Sequence, residues 1–541
     1  MASRVQTGSR QKVLIIGAGA AGMSCAATLA DCPSQFEVTI LERSSTPGGV
    51  ATSLPLDRYK YGADWLNDGV QGGPSLFRHT FKYLRDYGYE PKEMKFQFSF
   101  GKGKENFWTN VFPTALVERH AREIRKFGRA LRLVKRAGKA VWLVPIGTFL
   151  DIGRFSKEFQ YKMVIPLAAM VLRTGNQTKD VPCGLLMRLF DDPEMKVWDY
   201  DPVSFVPNLP SMYTFPNLKL FYQDWEAGLR SKGVNIRLNT EVVKISRRDR
   251  KGVVIETRWA DGRSIDGDQQ DGHVSNTEAF DKLVLCIPGD EAKHLLGELA
   301  TWREKFILGG IQMFNRYTVT HSDSEYFRQQ YETRFREDLC TKPHTKEQSA
   351  QIDFAKGAAD GGGFRPMYYI HAYPGKPNKM ESGLDCSNFQ YQFQPDVKGG
   401  ESQVPFDKHI FQSHFMDQKL KHLWTVNQID EESIIERKWW HQVSHRWQHY
   451  VRVAPAMRFI NGKKNTYFAG SWTFVVRSCQ ILPADIHEVA CISGIAAAYR
   501  LGAPYERFDD LAETSFAKYL KNAHGVKFER GRGERRTSWH W

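Results

Sequence analysis

The chain has 541 residues, of which 41% are hydrophobic and 13% aromatic, and a formal net charge of +14. This length is too great for one ordinary domain and sufficient for two or three, and the apolar content excludes a disordered chain. The positive balance fits an anionic lipid surface, an acidic substrate or nucleic acid without choosing among them.

Met1 to Gln11 is polar, so neither a secretory signal nor a membrane anchor is expected there, and a soluble cytoplasmic protein is predicted. Lys12 to Ile16 reads as a buried parallel strand, and Gly17-Ala18-Gly19-Ala20-Ala21-Gly22 matches GxGxxG where that strand meets a helix. Gly17 suits the tight turn, Gly19 lets backbone approach a pyrophosphate, and Gly22 lets the helix pack close to the strand. Glu37 to Glu42 supplies a second strand. Its last residue, Glu42, lies twenty residues after Gly22 and is placed to accept hydrogen bonds from an adenosine ribose. A carboxylate there repels a 2′-phosphate, which disfavours NADP and leaves FAD and NAD equal on this stretch.

After Gly48-Gly49, the segment Val50 to Gly73 is rich in glycine and aromatics, as suits backbone against a flat ligand or a packed surface loop. A short helix is predicted over Leu76 to Tyr87 and a half-buried hairpin over Phe96 to Thr109. Leu116 to Arg136 has an apolar stripe of Val117, Ile124, Phe127, Leu131 and Val134, which predicts one amphipathic helix. Its other face carries Arg119, Arg122, Arg125, Lys126, Arg129, Arg132 and Arg136. The plain account is a solvated charged face; the sharper one is contact with an anionic membrane or acidic ligand. The apolar runs Ala140 to Leu150 and Met163 to Leu172 are too short to span a bilayer.

Phe215 to Lys232 predicts a helix, followed by strands at Val234 to Asn239, Glu241 to Ile245 and, after a polar hairpin region, Lys282 to Pro288. This block is expected to return to the first sheet. From Asp290 to Gln442 the composition turns polar and aromatic, with glycine loops at Gly361 to Gly363 and Gly399-Gly400. Strands over Gly310 to Thr320, Tyr368 to Ala372 and Phe389 to Phe393, with a helix near Phe406 to Leu423, predict a second domain with a mixed sheet. Eight scattered cysteines without CxxC or paired Cys/His spacing support neither zinc nor a disulfide framework. The tail Lys521 to Arg536 is basic and expected to be mobile.

Near the end, Asn465 to Trp472 reads as a short strand and loop, and Asp485 to Ala498 as a small-residue helix opened by an Asp-x-x-Glu pairing like a capping box. Its N-terminus offers amides and positive dipole to an anionic acceptor, which suits the pyrimidine end of a reduced flavin. Together, Gly17-x-Gly19-x-x-Gly22, Glu42-Arg43 with Gly48-Gly49, the strand Glu241 to Ile245, Cys286-Ile287-Pro288, Phe468-Ala469-Gly470 and Ser493-Gly494-x-Ala496-Ala497 resemble the flavin-containing amine oxidase superfamily. That group includes phytoene-desaturase-like enzymes and FAD-dependent double-bond isomerases of fatty acids.

The resemblance implies an α/β fold: a Rossmann-like FAD-binding domain built from separated segments (1–75, 211–289 and 451–510) and an α+β substrate domain with a mixed sheet (76–210 and 290–450), ending in a basic tail (511–541). It implies FAD, with Glu42 on the ribose, Gly17, Gly19, Ala20, Ala21 and Gly22 together with Arg43, Gly48, Gly49 and Val50 around the diphosphate, and Val242 or Val243 at the adenine edge. Gly470 and Ser471 would meet the ribityl chain, with Ile486 at the start of the last helix. Two positions depart from the family: Val50 stands for an arginine and Ser471 for an acidic residue. The family's lysine near the flavin is matched here by Asn315 or Arg316.

In the same way Trp440, Tyr450 and Trp472 are nominated to flank the substrate, and His441, His445 or His449 as a proton acceptor. The implied activity is an FAD-dependent oxidoreductase taking a hydride from a C–N or C–C bond of a small, largely apolar substrate. The alternatives are a redox-neutral lipid double-bond isomerase and a flavin-bound membrane-surface or scaffold protein without turnover. The partners expected are that substrate and an anionic membrane surface, not nucleic acid, and no metal is expected.

Overall fold

The computed structural model describes residues 9–192, 196–260, 276–357, 363–394, 404–473, 486–506 and 508–530, with backbone alone at 139 and 140. Its first sheet has five parallel strands in the order Asn235–Arg237, Phe36–Leu41, Gln11–Ile16, Lys282–Leu285, Thr466–Phe468. The sheet is thus assembled from segments more than four hundred residues apart. Its apolar strands are covered on both faces, as parallel strands require. Val13, Ile15 and Val284 join the helical core with Met23 and Val489, while Leu14, Ile16 and Leu283 pack with Ile245, Val253 and Ile255 on the other face.

The helical cover consists of Ala20–Ala30, Leu218–Ser231 and His487–Leu501. The first and last of these touch closely: a Cβ at Gly494 would run into the Ala21 carbonyl, and Ser24 Oγ donates to the Cys491 carbonyl at 3.0 Å. The opposite cover is a separate antiparallel sheet of Thr240–Asp249, Gly252–Trp259 and Asn276–Phe280. The block after Phe215 therefore returns to the first sheet only through Asn235–Arg237 and Lys282–Leu285. The strand predicted at Glu241 to Ile245 lies in the second layer instead, because it turns back on itself at Gly252 and buries one face only.

The second large sheet has seven strands in the order Ile434–Val443, Met313–His321, Phe411–Met416, Lys376–Asp385, Tyr368–Tyr373, Phe98–Phe100, Trp108–Thr109. It is mixed, with Tyr368–Tyr373 and Phe98–Phe100 parallel and the other pairs antiparallel. The α/β fold with a parallel sheet and a separate mixed sheet is as expected. Two local expectations fail and a third holds only in part. The helix placed at Phe406 to Leu423 is instead the strand Phe411–Met416 with a 3₁₀ turn on either side, and the strand is buried at every position, which hides its period. Phe389 to Phe393 forms 3₁₀ turns rather than a strand. The hairpin at Phe96 to Thr109 forms, but its strands are fully buried.

The predicted long amphipathic helix divides at His120 into Ala115–Arg119 and Ala121–Ala137, with Ile124, Phe127, Leu131 and Val134 buried as its pattern required. The run Ala140 to Leu150 divides between Lys139–Trp142 and Ile146–Ile152. Among the described residues, no helix is long and apolar enough to cross a membrane. The first residues of the basic tail complete the helix Asp510–His524, and 531–541 lie outside the described residues, as do the glycine loops at 361–362 and 399–400.

Candidate cofactor and substrate cleft

A cleft of about 880 Å³ runs along the C-terminal ends of the parallel strands, where α/β sheets bind ligands. It is lined by Gly17, Gly19, Ala20, Ala21, Glu42, Arg43, Gly48, Gly49, Val50, Val242, Val243, Gly470, Ser471, Trp472 and Ile486. Gly22 lies beneath it. A Cβ there would run into the Gly17 carbonyl, so Gly22 sets the approach of helix Ala20–Ala30 to the strand and does not face the cleft. Gly17 holds φ +104°, and a Cβ on it would stand 2.6 Å from the Cys286 carbonyl, a position only glycine fills. Gly19 differs from both: its nearest neighbour would be 3.9 Å away, so the missing side chain leaves room in the cleft. No side chain caps helix Ala20–Ala30, and its first amides are free to meet an anion.

Glu42 ends the second strand with both carboxylate oxygens oriented. Oε2 accepts from the Ala18 amide at 2.8 Å and Oε1 from the Ser44 amide at 2.9 Å, leaving lone pairs for further donors. Arg43 lines the cleft, but its guanidinium pairs with Glu291 at 3.3 Å. At the other end, the Gly470 amide donates to Ser493 Oγ at 2.7 Å, tying the loop after Thr466–Phe468 to helix His487–Leu501. That helix opens at Ile486 without a side-chain cap.

The predicted capping box does not form in the described residues, and Asp485 lies outside them. Glu488 faces a neighbouring helix, Arg78–Asp86, and accepts from the His79 and Thr80 amides at 3.0 and 2.8 Å and from His79 Nδ1 at 2.7 Å. Burial pushes the Glu488 carboxyl up, yet His79 and these amides hold it below the ordinary range. His487 lines the cleft with both ring nitrogens engaged, Nε2 with Tyr222 Oη at 2.6 Å and Nδ1 with Thr80 Oγ1 at 3.0 Å. Burial lowers its pKa to about 4, so the imidazole is neutral at pH 7.

The mixed sheet closes the cleft with Met313, His441 and Val443. Met313 is therefore the residue that strand Met313–His321 presents there. Asn315 and Arg316 take other places: Asn315 pairs with His441 across the strands, and Arg316 is buried toward His414. His441 Nδ1 lies 2.7 Å from Asn315 Oδ1, and Nε2 lies 2.7 Å from Asp290 Oδ2. Asp290 sits in the helix that follows Pro288, just beyond strand Lys282–Leu285.

Of the three aromatics nominated beside the substrate, Trp472 lines the cleft, with its indole N–H donating to the Ile287 carbonyl at 3.0 Å. Trp440 adjoins His441 on a strand and so faces the opposite side, buried against Gly69 behind the wall formed by Val50 and Val70. Tyr450 is a core residue, with Oη 3.0 Å from His445 Nδ1 and its ring on Trp142. Of the three histidines His441 lines the cleft, whereas His445 and His449 are buried away from it, and burial lowers them to about 4 and about 3.

Sequence reasoning passed over Asp290, Met313 and His487. Asp290 alone had a local signal, its place just past the C-terminal end of a parallel strand. Among the described residues no group of three or more His, Cys, Asp or Glu could hold a metal.

A family profile for an NAD(P)-binding Rossmann-like domain matches residues 15–84. No curated protein sequence matches the chain significantly. Among solved structures, the chain is similar to a CLA-producing fatty acid isomerase from P. acnes, at 13% identity over 91% of this chain and 98% of that one, with a TM-score of 0.52. It is similar to cyclohexylamine oxidase from Brevibacterium oxydans at 12% identity over 91% and 99%, with a TM-score of 0.54. Wild-type putrescine oxidase bound to putrescine matches at 9% identity over 91% and 99%, with a TM-score of 0.55. The chain shares the fold of these structures, with one parallel sheet carrying a separate mixed sheet, and its N-terminal segment is an NAD(P)-binding Rossmann-like domain.

Proposed function

We propose that the chain is an FAD-dependent oxidoreductase that removes a hydride from a C–N or C–C bond of a small, largely apolar substrate. The observation that carries this reading is one cleft joining Glu42 and the Gly17 to Gly22 turn to the uncapped start of helix His487–Leu501. The residues present fit FAD. Glu42 has free lone pairs for a ribose, the space at Gly19 and the open amides of helix Ala20–Ala30 suit a diphosphate, and Val242 and Val243 lie at the adenine end. Gly470 and Ser471 suit the ribityl chain, and the N-terminus of His487–Leu501 stabilises negative charge at the pyrimidine end.

When bound, FAD supplies the hydride acceptor. Met313, Val443, Val50 and Trp472 supply apolar walls that orient the substrate and exclude water. His441 takes the proton that leaves with the hydride. Asp290 Oδ2 holds Nε2–H, so the proton arrives at Nδ1 as the Asn315 amide turns aside, and Asn315 Oδ1 then accepts from the Nδ1–H of the imidazolium. A second reading, in which the hydride returns to another carbon of the same lipid-like molecule, is favoured by Met313, an apolar side chain at the strand position that faces the cleft.

Anaerobic mixing with candidate amines and unsaturated lipids, followed by product mass, tests both. Flavin bleaching with loss of two hydrogens identifies dehydrogenation, and unchanged mass with a moved double bond identifies isomerisation. Holoprotein whose flavin no candidate reduces supports the non-catalytic alternative. A purified chain that neither contains nor takes up flavin overturns the reading.

A further inference from the structure

Helix Ala121–Ala137 turns Arg122, Arg125, Arg129, Arg132 and Arg136 to solvent, opposite its buried Ile124, Phe127, Leu131 and Val134. Their 3-4-3-4 spacing places all five within an arc of about 80° along about 21 Å of helix. Among the described residues none of the five makes an ion pair, whereas Arg119 and Lys135 at the two ends pair with Glu158 and Asp191. Glu123, the single acid of this helix, is turned away to His120 and to the Ser156 amide and hydroxyl. The stripe is thus an uncompensated row of cations that the packing of the helix does not use.

Apolar side chains stand beside it. Leu133, at the edge of the same arc, is 66% exposed. Lys126 Nζ donates to the Arg154 carbonyl at 2.9 Å, which holds against the helix the turn with exposed Arg154 that follows helix Ile146–Ile152, whose last residue Ile152 is 74% exposed.

We propose that this face docks the protein on an anionic phospholipid surface. Cations in register attract the lipid headgroups, while Leu133 and Ile152 enter the boundary of the acyl chains. No exposed aromatic ring interleaves the five arginines in the helix sequence, which favours a lipid surface over a single-stranded nucleic acid. The proposal is independent of the reaction.

Flotation or sedimentation of the full chain with phosphatidylcholine vesicles, with and without phosphatidylserine, tests it at low and at physiological salt. Binding is expected only with phosphatidylserine and weakens as salt rises. The triple substitution Arg125→Glu, Arg129→Glu and Arg132→Glu is expected to lower partitioning about 100-fold or more, with flavin content and melting temperature unchanged. If that variant fails to fold, the corresponding glutamine triple serves, with a smaller expected loss. Leu133→Ser with Ile152→Ser is expected to reduce binding several-fold while keeping the salt dependence. The equally charge-reversed control Lys251→Glu, Lys376→Glu and Lys419→Glu is expected to retain binding. No association with anionic vesicles at low salt, equal losses in the arginine triple and the control, or binding to RNA without binding to vesicles would each overturn the proposal.

Discussion

Lys438, on the edge strand Ile434–Val443 of the mixed sheet, reaches Asp68 just after the short strand Trp65–Asn67, Nζ to Oδ2 at 2.8 Å. The same ammonium donates to Thr52 Oγ1 at 3.0 Å and lies 4.3 Å above the Trp440 ring, and Thr52 Oγ1 donates to Asp68 Oδ1 at 2.6 Å. The Asp68 carboxylate is buried, so this lysine neutralises a charge that has no water. Lys438→Met is expected to cost about 2–3 kcal/mol, below the full value for a buried pair because the ammonium stays partly in water. Adding Asp68→Asn should recover much of the loss. Denaturant unfolding of the three variants checks this, and an unchanged midpoint in Lys438→Met would refute it.

Cofactor retention separates two roles within the glycine turn. Glu42→Ala removes a hydrogen-bond acceptor for the ribose and should weaken FAD binding about 10- to 100-fold while the protein stays folded. Gly22→Ala forces helix Ala20–Ala30 away from the Gly17 carbonyl and should lower the melting temperature and abolish flavin retention together. Flavin titration of apoprotein beside thermal melts distinguishes the two.

His441→Gln tests the proton acceptor. Flavin reduction should slow by about 10²–10⁴-fold, the usual worth of a positioned acid or base, with FAD affinity unchanged. Asn315→Leu, which removes the amide facing Nδ1, should slow it less. Anaerobic stopped-flow gives both rates, and wild-type reduction by His441→Gln would remove this residue from the mechanism.

Acid should destabilise the fold before carboxylates titrate. His445, His449 and His487 are buried and neutral, with pKa values lowered to about 4, about 3 and about 4. The unfolded chain takes up protons near pH 6.5, where the folded chain does not, so stability falls as pH drops from 7 toward 4. Each group contributes on the order of 1–2 kcal/mol by pH 5. His449→Phe, which does not titrate, should flatten the curve of unfolding free energy against pH.

Glu488→Ala would strip the amides of His79 and Thr80 and the His79 ring of their shared acceptor inside the core. A loss of about 3 kcal/mol or more is expected, since buried donors are then left unmet. Glu488→Gln should recover part of it, as its carbonyl can still accept. Urea midpoints measure both.

The amino-acid sequence by itself determined the strand, turn, helix and strand from Lys12 to Glu42. Each element there depends on contacts a few residues away: a two-sided apolar run, a positive φ at Gly17, a helix seated on it through Gly22. The amphipathic face of Ala121–Ala137 was legible for the same reason, since 3.6-residue periodicity is a local property. Tertiary structure alone decided the rest. His441 meets Asp290 because Asn315 and His441 fall opposite each other in the register of two strands, and that register sends the neighbouring Trp440 to the far side. Glu488 looked like the second half of a capping box and instead serves a helix four hundred residues earlier in the chain. Phe411–Met416 concealed its strand because a segment buried on both faces shows no alternation. Such pairings are set by shape and burial between distant segments, whereas a sequence pattern records only what lies within a few turns of its own residue.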